Sequence, residues 1–270
     1  MPGVVVSVTI QCGECINCRR GQVALCKNGG IFGHGKRWGS FPGTQAEYLR
    51  TPYADMVLEP IPADMTEEQA LFAGDILSTG YMACENGSIR PGDVVVVFGA
   101  GPVGLCAVAA ARLFGPSLIV SVDLLDYRLE AAKRLGADIV INSGQTDPVK
   151  EIRRITGGEG AEVTIEAIGS PEALNNCLAS VRGAGNVSIV GVFPFAKVEL
   201  SIREILRQRL RITAGLANIV NMGRLLSLIR GGKLDLTPLI THRMPLSKAE
   251  EAYRLFSTRS ENVLKIILRP

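Results

Sequence analysis

The sequence predicts an α/β protein whose largest element is a doubly wound parallel sheet. Of the 270 residues, 47% are hydrophobic and only 5% are aromatic, so the apolar residues are mostly aliphatic or small. Short aliphatic runs alternate with helical patterns from residue 94 onward, which is typical of buried parallel strands joined by helices. A glycine-rich segment follows the first of these runs directly, as happens where such a sheet binds a ligand.

The first third of the chain predicts short β-structure around a compact lobe. Residues 4–10 are rich in β-branched side chains and predict a strand, and residues 46–50 predict another. A glycine-rich loop over residues 28–45 lies between them. The run Thr-Glu-Glu-Gln at 66–69 predicts the start of a helix.

The alternating region predicts five strands, at residues 94–98, 118–122, 139–141, 163–167 and 186–192. Asp126 is the expected cap of the helix after the second strand, and Gly136 is its expected end. Two later helices are expected to begin at Asp147-Pro148 and at Ser170-Pro171, and Ser170 is the expected N-cap of the second.

Beyond residue 200 the pattern continues with shorter elements. The expected elements are a helix at 203–209, a strand at 211–214, a helix at 222–230, a helix at 248–256 and a last strand at 263–268.

Composition and charge exclude several classes of partner. A net charge of +3 and a pI of about 8.5 are too weak to indicate nucleic-acid binding. The longest apolar runs fall short of the roughly 18 residues that span a membrane. The first residues show no basic region or cleavage pattern of a secretory signal. We therefore expect a cytoplasmic protein without nucleic-acid or membrane partners.

Four of the seven cysteines lie within fifteen residues, at Cys12, Cys15, Cys18 and Cys26. Four thiolates can surround one tetrahedral ion, and a closed shell of this kind predicts a structural zinc site. Two disulfides are the alternative, which the absence of a secretory signal disfavours. The other three, Cys84, Cys106 and Cys177, lie among apolar or small residues and are expected to be buried.

The glycine-rich segment Gly99-Ala100-Gly101-Pro102-Val103-Gly104 has the pattern of a dinucleotide-binding loop. The pattern follows a predicted strand and opens a predicted helix, which is the context that makes it specific. Gly99 would permit the tight turn, Gly101 would let the backbone approach a pyrophosphate, and Gly104 would let the helix pack against the strand. The pyrophosphate would lie at the helix N-terminus, against Pro102 and Val103.

Asp123 ends the second predicted strand, 24 positions after Gly99. This position suits the acid that binds the adenosine ribose, and its charge would repel a 2′-phosphate. The sequence therefore favours NAD over NADP. A solvated acid at a strand end is the alternative. Arg128 has two readings, since it would either help to hold the ribose or accept a phosphate.

These features resemble the zinc-containing medium-chain alcohol dehydrogenase family. The resemblance rests on the cysteine lobe, on residues 43–50, on Gly74-Asp75-Ile76-Leu77-Ser78-Thr79-Gly80-Tyr81 and on the nucleotide loop. It implies a Rossmann domain at 72–218. It also implies an incomplete GroES-like, β-rich catalytic domain, formed by residues 1–71 with the structural zinc lobe and by the return at 219–270. Within the family, the chain resembles the subgroup whose third catalytic zinc ligand is an aspartate.

The resemblance also implies a function and its residues. A catalytic zinc would act as a Lewis acid on an alcohol or carbonyl oxygen, with hydride transfer to or from NAD. Asp75 matches the third ligand of that zinc, and Thr79 matches a residue beside the nicotinamide. Ile168, Gly169, Val190, Gly191 and Val192 match stretches that line the cofactor. Homodimers or homotetramers are implied, through the sheet edge near residues 214–220.

The sequence also departs from the family. The other catalytic zinc ligands should precede the cysteine lobe, but only eleven residues precede Cys12, and the family's usual first ~80–90 residues are expected to be missing. Two hypotheses follow, and a third, a zinc-independent reductase of the same superfamily, is disfavoured by the cysteine lobe and Asp75. The first is a zinc-dependent alcohol or polyol dehydrogenase, and the second is a catalytically inactive NAD-binding module with one structural zinc.

Overall fold

A computed structural model describes residues 3–193 and 197–270 of the chain. The chain divides into two compact units, and the first of their two boundaries in the chain falls inside the helix Ile76–Asn86. One unit comprises Thr79–Gly215, and the other contains the residues up to Ser78 and from Leu216 onward.

The strands of the described residues are, in chain order, β1 (Val4–Val6), β2 (Thr9–Ile10), β3 (Gly30–Ile31), β4 (Leu58–Pro60), β5 (Val94–Phe98), β6 (Leu118–Asp123), β7 (Ile139–Asn142), β8 (Ala161–Glu166), β9 (Val181–Ile189), β10 (Arg211–Ala214), β11 (Ile240–Pro245) and β12 (Lys265–Arg269). The α-helices are α1 (Ile16–Arg19), α2 (Ala54–Val57), α3 (Glu67–Ala70), α4 (Ile76–Asn86), α5 (Pro102–Ala111), α6 (Asp126–Leu135), α7 (Pro148–Ile155), α8 (Pro171–Ser180), α9 (Ile202–Gln208), α10 (Met222–Arg230) and α11 (Ala249–Thr258). None of the helices in the described ranges is long and apolar enough to cross a membrane.

The Thr79–Gly215 unit contains the predicted doubly wound sheet. Its six strands are all parallel and lie in the order β10-β9-β8-β5-β6-β7. From β5 the chain winds outward through β6 and β7, and from β8 it winds the other way through β9 and β10. The order therefore reverses between β5 and β8, which is where ligands bind in sheets of this topology. This result confirms the predicted fold class.

Aliphatic burial explains why these runs form the central strands. Val95, Val96 and Val97 of β5 are fully buried, as expected for a strand covered on both faces. The helix α5 that follows is buried from Gly104 to its last residue, and its small side chains let it lie close to the sheet.

The helix starts predicted at Asp147 and Ser170 are confirmed, and the predicted cap Asp126 is wrong. Asp147 accepts the N–H groups of Val149 and Lys150, and Ser170 accepts that of Ala173. Asp126 is instead the first residue of α6 and makes no capping hydrogen bond. The N–H groups of Arg128 and Leu129 donate to the carbonyl of Leu125, and the Asp126 carboxylate instead accepts a hydrogen bond from Asn142 Nδ2.

The edges of β9 also differ from prediction. The strand begins at Val181 rather than 186, and its pairing with β8 shifts register between Ala161 and Val163. Ala184 has a positive φ of 58°, so this glycine-rich stretch is an irregular part of the strand rather than the loop that its composition suggests.

The other unit is built from paired short strands. Strands β1 and β4 are antiparallel, as are β2 and β3, while β11 and β12 are parallel. Residues 46–50, predicted as a strand, are irregular instead. Their backbone makes no strand pairing within the described ranges, and Tyr48 is 91% exposed, so neither hydrogen bonds nor burial favour an extended strand there.

One carboxylate joins three elements of this unit. Glu68 on α3 accepts hydrogen bonds from Arg243 Nε and Nη2 at 2.9 and 2.7 Å, and from Arg269 Nη2 at 2.7 Å. Arg243 lies on β11 and Arg269 on β12. The two guanidinium groups, Arg243 foremost, lower the pKa of Glu68 from 4.5 to about 2.

We predict that this ion-pair cluster makes stability depend on pH in the acid range. Because the pKa of Glu68 is lowered on folding, its contribution is complete above pH 4.5 and is lost as the pH falls towards 2. Glu68→Gln should therefore lower the midpoint of thermal unfolding at neutral pH, and its difference from wild type should shrink over that acid window.

Calorimetry or circular dichroism at stepped pH measures this difference. Glu67→Gln is the matched control, because Glu67 lies one position earlier on the same helix and forms none of the ion pairs found in the described residues. A difference between Glu68→Gln and wild type that stays constant down to pH 2 contradicts the prediction.

Candidate cofactor and metal sites

The glycine loop adopts the tight turn that its pattern predicts. Gly99 follows β5 with a φ of 100°, a left-handed conformation that glycine adopts without strain. Its N–H donates to the carbonyl of Val122 at 2.8 Å, which ties the loop to the end of β6.

Gly104 and Gly101 serve different purposes in this loop. A Cβ on Gly104 would lie 1.8 Å from the carbonyl oxygen of Gly99, so only glycine allows the helix to approach the strand end so closely. A Cβ on Gly101 would meet nothing closer than Arg128 Nη1 at 3.9 Å, so the space above Gly101 is open to a ligand.

Helix α5 begins at this open side. Gly101 is its N-cap and Pro102 its first residue. The amides of Val103 and Gly104 lie in the first turn, where backbone N–H groups have no carbonyl partner within the helix. Together with the helix dipole, these amides favour an anion such as a pyrophosphate.

Asp123 is buried at the carboxyl end of β6 and is 8% exposed. Its Oδ2 accepts the N–H of Ala100 at 2.7 Å, and its Oδ1 accepts those of Leu124 and Leu125 at 2.8 and 3.0 Å. The carboxylate is thus held beside the glycine loop by three backbone amides. The alternative of a solvated acid is therefore wrong.

Arg128 lies against this carboxylate. Its Nη1 is 3.8 Å from Asp123 Oδ2, and its Nε donates to the hydroxyl of Tyr127 at 3.2 Å. The guanidinium also lies 5.8 Å from the centre of the Tyr127 ring. The arginine is therefore paired with Asp123 at the mouth of the loop.

The remaining predicted cofactor residues follow the ends of β8 and β9. Gly169 has a φ of 87°, and a Cβ on it would lie 2.0 Å from the carbonyl oxygen of Val192. Ile168 and Val192 are more than half exposed, whereas Val190 is buried. A Cβ on Gly99 would lie 2.6 Å from Ile168 Cγ1, so this segment contacts the glycine loop. The fold thus gathers the predicted cofactor residues at the carboxyl ends of its parallel strands.

Sequence reasoning missed one residue in this region. Glu166, the last residue of β8, is fully buried and accepts the N–H groups of Ile168 and Gly169 through Oε1 at 2.9 and 2.7 Å. Burial raises the pKa of Glu166, although these two N–H groups oppose the shift. The available signal was an acid ending an aliphatic strand in the alternating region.

The four cysteines of the lobe converge in a separate site. The Sγ atoms of Cys15 and Cys18 are 3.6 Å apart, as are those of Cys12 and Cys26, and Cys15 and Cys26 are 4.0 Å apart. All four lie within 4.8 Å of one another. A tetrahedron with Zn–S bonds of about 2.3 Å has sulfur–sulfur edges of about 3.8 Å. The donor set and its spacing therefore fit a structural zinc ion.

Backbone N–H groups donate to the sulfur atoms of this lobe, which favours the thiolate form that binds a metal cation. The N–H of Cys12 donates to Cys26 Sγ, and that of Cys15 donates to Cys12 Sγ. Nearby N–H groups lower the pKa of Cys12, and those of Lys27 and Cys18 lower the pKa of Cys15 to about 6. Burial raises the pKa of Cys18 to about 12. Metal binding would have to displace the proton of Cys18.

Asp75 stands apart from this cluster. It is exposed, lies just before α4 and borders a cavity of about 710 Å³ that β1 and β12 also line. In the described part of the chain, the four cysteines are the one group of three or more side chains suited to a metal. Catalytic zinc sites use three protein ligands, so the described residues around Asp75 do not form one. Thr79, the other predicted catalytic residue, is buried in α4.

Comparison with known proteins settles the family. The model of the zinc-binding dehydrogenases matches residues 102–221. An alcohol dehydrogenase of Cupriavidus necator is 40% identical over 87% of this chain and 66% of its own length. An L-threonine 3-dehydrogenase of Pyrococcus abyssi is 35% identical over 93% of this chain and 71% of its own. The chain belongs to the zinc-containing medium-chain alcohol dehydrogenase family.

Solved structures agree with this assignment of the alcohol dehydrogenase family. Alcohol dehydrogenase TADH from Thermus sp. ATN1 aligns with a TM-score of 0.96 and 40% identity, over 100% of this chain and 77% of that one. The present chain spans about two thirds of the length of the Cupriavidus relative. Membership implies zinc and a nicotinamide dinucleotide as cofactors, and the cysteine lobe and the glycine loop are the parts of this chain suited to them.

We predict about one zinc ion per chain, because one complete ligand set is formed by the described residues. Cys18→Ser should lose this ion and destabilise the lobe, since α1 has no buried side chain to hold it otherwise. Elemental analysis of the purified protein measures the ratio of metal to protein.

Cys84→Ala is the matched control, because Cys84 is a buried thiol outside the lobe. It should keep the zinc content of the wild type. Equal zinc in the Cys18→Ser variant contradicts the assignment of the lobe, and about two ions per wild-type chain contradicts the absence of a second site.

Proposed function

We propose that the protein is an NAD-dependent oxidoreductase that transfers a hydride between an alcohol, polyol or related carbonyl compound and the nicotinamide. The observation that carries this proposal is the arrangement at the end of β5 and β6. The space beside the open glycine loop is bordered there by the amides that begin α5 and by the buried carboxylate of Asp123. Those groups suit a pyrophosphate and an adenosine ribose.

The preference for NAD rests on Asp123. Three backbone amides hold its carboxylate, and Arg128 is directed at its Oδ2 atom rather than held free for a phosphate. Ribose hydroxyls can donate to such a carboxylate, whereas a 2′-phosphate would be repelled by it. This arrangement supports NAD rather than NADP.

The substrate class rests on the relatives. The similar proteins include an alcohol dehydrogenase and an L-threonine 3-dehydrogenase, both of which are named for substrates with a hydroxyl group. A catalytic zinc would polarise that oxygen when bound. Asp75 is the residue of this chain assigned to it, and Thr79 is the residue assigned to the nicotinamide. The cysteine lobe would hold a separate, structural zinc.

A second function is favoured by the region around Asp75. Because no group of three ligands surrounds Asp75 in the described residues, an NAD-binding module with one structural zinc and no dehydrogenase activity is the alternative. Both functions require the same cofactor site, so only turnover and metal content distinguish them.

The described residues also bear on the assembly of the protein and on its location in the cell. We infer a homodimer or homotetramer formed through the free edge of β10, which pairs only with β9 in the described sheet. Ile202 and Leu206 on α9 are 61% and 71% exposed, which supports association on this side. None of the seven cysteines forms a disulfide in the described part of the chain, which supports a reducing, cytoplasmic location.

We predict that Asp123→Asn weakens NADH binding by roughly tenfold or more, because hydrogen bonds to a charged group typically contribute about 1.5–3 kcal/mol. The same variant should gain relative affinity for NADPH, since the repelling charge is gone. Fluorescence titration with both reduced cofactors measures this change of preference.

Asp126→Asn is the control for this prediction. Asp126 is also an acid near the start of α6, but its carboxylate is exposed and bonds to Asn142 instead. It should bind NADH like the wild type. Unchanged NADH affinity in Asp123→Asn contradicts the assignment to the ribose.

Turnover tests the choice between the two functions. Alcohol-dependent formation of NADH from NAD, zinc and a panel of ethanol, sorbitol and L-threonine, measured by its absorbance, supports the dehydrogenase function and requires a second zinc ion at Asp75. Asp75→Asn should abolish this activity while leaving NADH binding intact, because Asp75 is outside the dinucleotide site. Binding of NADH without turnover of any alcohol by the wild type supports the second function instead.

A further inference from the structure

Glu166 occupies the point at which two of the cofactor segments meet. Its Oε1 accepts both N–H groups of Ile168 and Gly169, and its backbone carbonyl accepts those of Val190 and Gly191 at 2.9 and 3.0 Å. One residue therefore satisfies four backbone donors, two from each of the segments that follow β8 and β9.

Packing brings these segments so close that glycine is required in both. A Cβ on Gly191 would lie 2.3 Å from Glu166 Oε2 and 2.2 Å from the amide nitrogen of Gly169. The carboxyl group is thus enclosed between the two backbones. Ile168 Cγ1 lies 2.6 Å from the position that a Cβ on Gly99 would take. The segment that follows β8 therefore reaches the glycine loop.

Burial of this carboxyl group is costly, which indicates that it serves more than packing. The residue is fully buried, and its Oε2 has no hydrogen bond within the described part of the chain. A buried polar atom without a hydrogen-bond partner destabilises the folded state. An aliphatic side chain of similar size would avoid that cost but would leave the amides of Ile168 and Gly169 without their acceptor.

We propose that Glu166 is a positioning residue for dinucleotide binding. It holds the segments after β8 and β9 in place before the cofactor binds. The proposal rests on the proposed NAD-binding function. Segments that are already ordered lose less conformational entropy when a ligand binds, so pre-organisation raises affinity without adding a contact to the ligand. Glu166 itself remains buried beneath the segments and acts through Ile168 and Gly169.

Four variants separate this role from general stability. Glu166→Met keeps the volume but removes the acceptor, whereas Glu166→Gln keeps an acceptor oxygen. Thr164→Val is the matched control, since Thr164 is buried on the same strand and donates to the carbonyl of Cys177 rather than to a cofactor segment. Glu166→Asp, which shortens the side chain, provides a further test if Glu166→Met does not fold.

The first measurement is residue-resolved hydrogen exchange in the cofactor-free protein. Glu166→Met or Glu166→Asp should lose protection at the amides of Ile168 and Gly169, while Glu166→Gln and Thr164→Val keep it. The second measurement is NADH titration. Glu166→Met and Glu166→Asp should bind NADH roughly tenfold more weakly, and Glu166→Gln and Thr164→Val should bind it like the wild type.

Retained protection of both amides in Glu166→Met and Glu166→Asp overturns the proposal, and so does a loss of NADH affinity in Thr164→Val that equals theirs. Failure of the wild type to bind NADH overturns the proposed function instead. In that case hydrogen exchange still decides whether Glu166 orders the two segments.

Discussion

The close approach between Gly104 and the carbonyl oxygen of Gly99 is the constraint on which the cofactor region depends. With only 1.8 Å available at the position of a Cβ, no larger residue lets α5 begin directly beside the end of β5. That approach brings the first-turn amides and the amide of Ala100 to the end of β6, where Asp123 accepts the latter. Loop, helix and acid therefore form one arrangement rather than three independent features.

The two units are stabilised by different means. In the parallel sheet, aliphatic strands such as β5 are covered on both faces, so burial of apolar surface dominates. The cysteine lobe contains a four-residue helix without a buried side chain, and its neighbouring strands pair only in twos. Isolated two-stranded pairs are marginally stable. The ion pairs of Glu68 supply contacts that a small apolar core cannot, and a tetrahedral metal bound by the four cysteines would supply more.

Errors in the predicted elements share one cause. Residues 46–50 have a plausible strand composition but no pairing partner, and β9 begins five residues earlier than expected because its partner β8 extends alongside it. In both cases the outcome depends on neighbouring strands that are distant in the sequence. Strand boundaries are set by these pairings, whereas helix starts such as Ser170-Pro171 are set locally and were predicted correctly.

The sequence by itself determined the fold class, the dinucleotide loop and the four-cysteine ligand set, because each depends on residue types at short, fixed spacings. Only the tertiary structure decided the surroundings of the acids that end the strands. Asp123 and Glu166 are both acids at the end of an aliphatic run, yet one lies beside the glycine loop and the other beneath two crossing segments. Which backbone amides reach a carboxylate depends on the order of strands in the sheet, and that order is a long-range property.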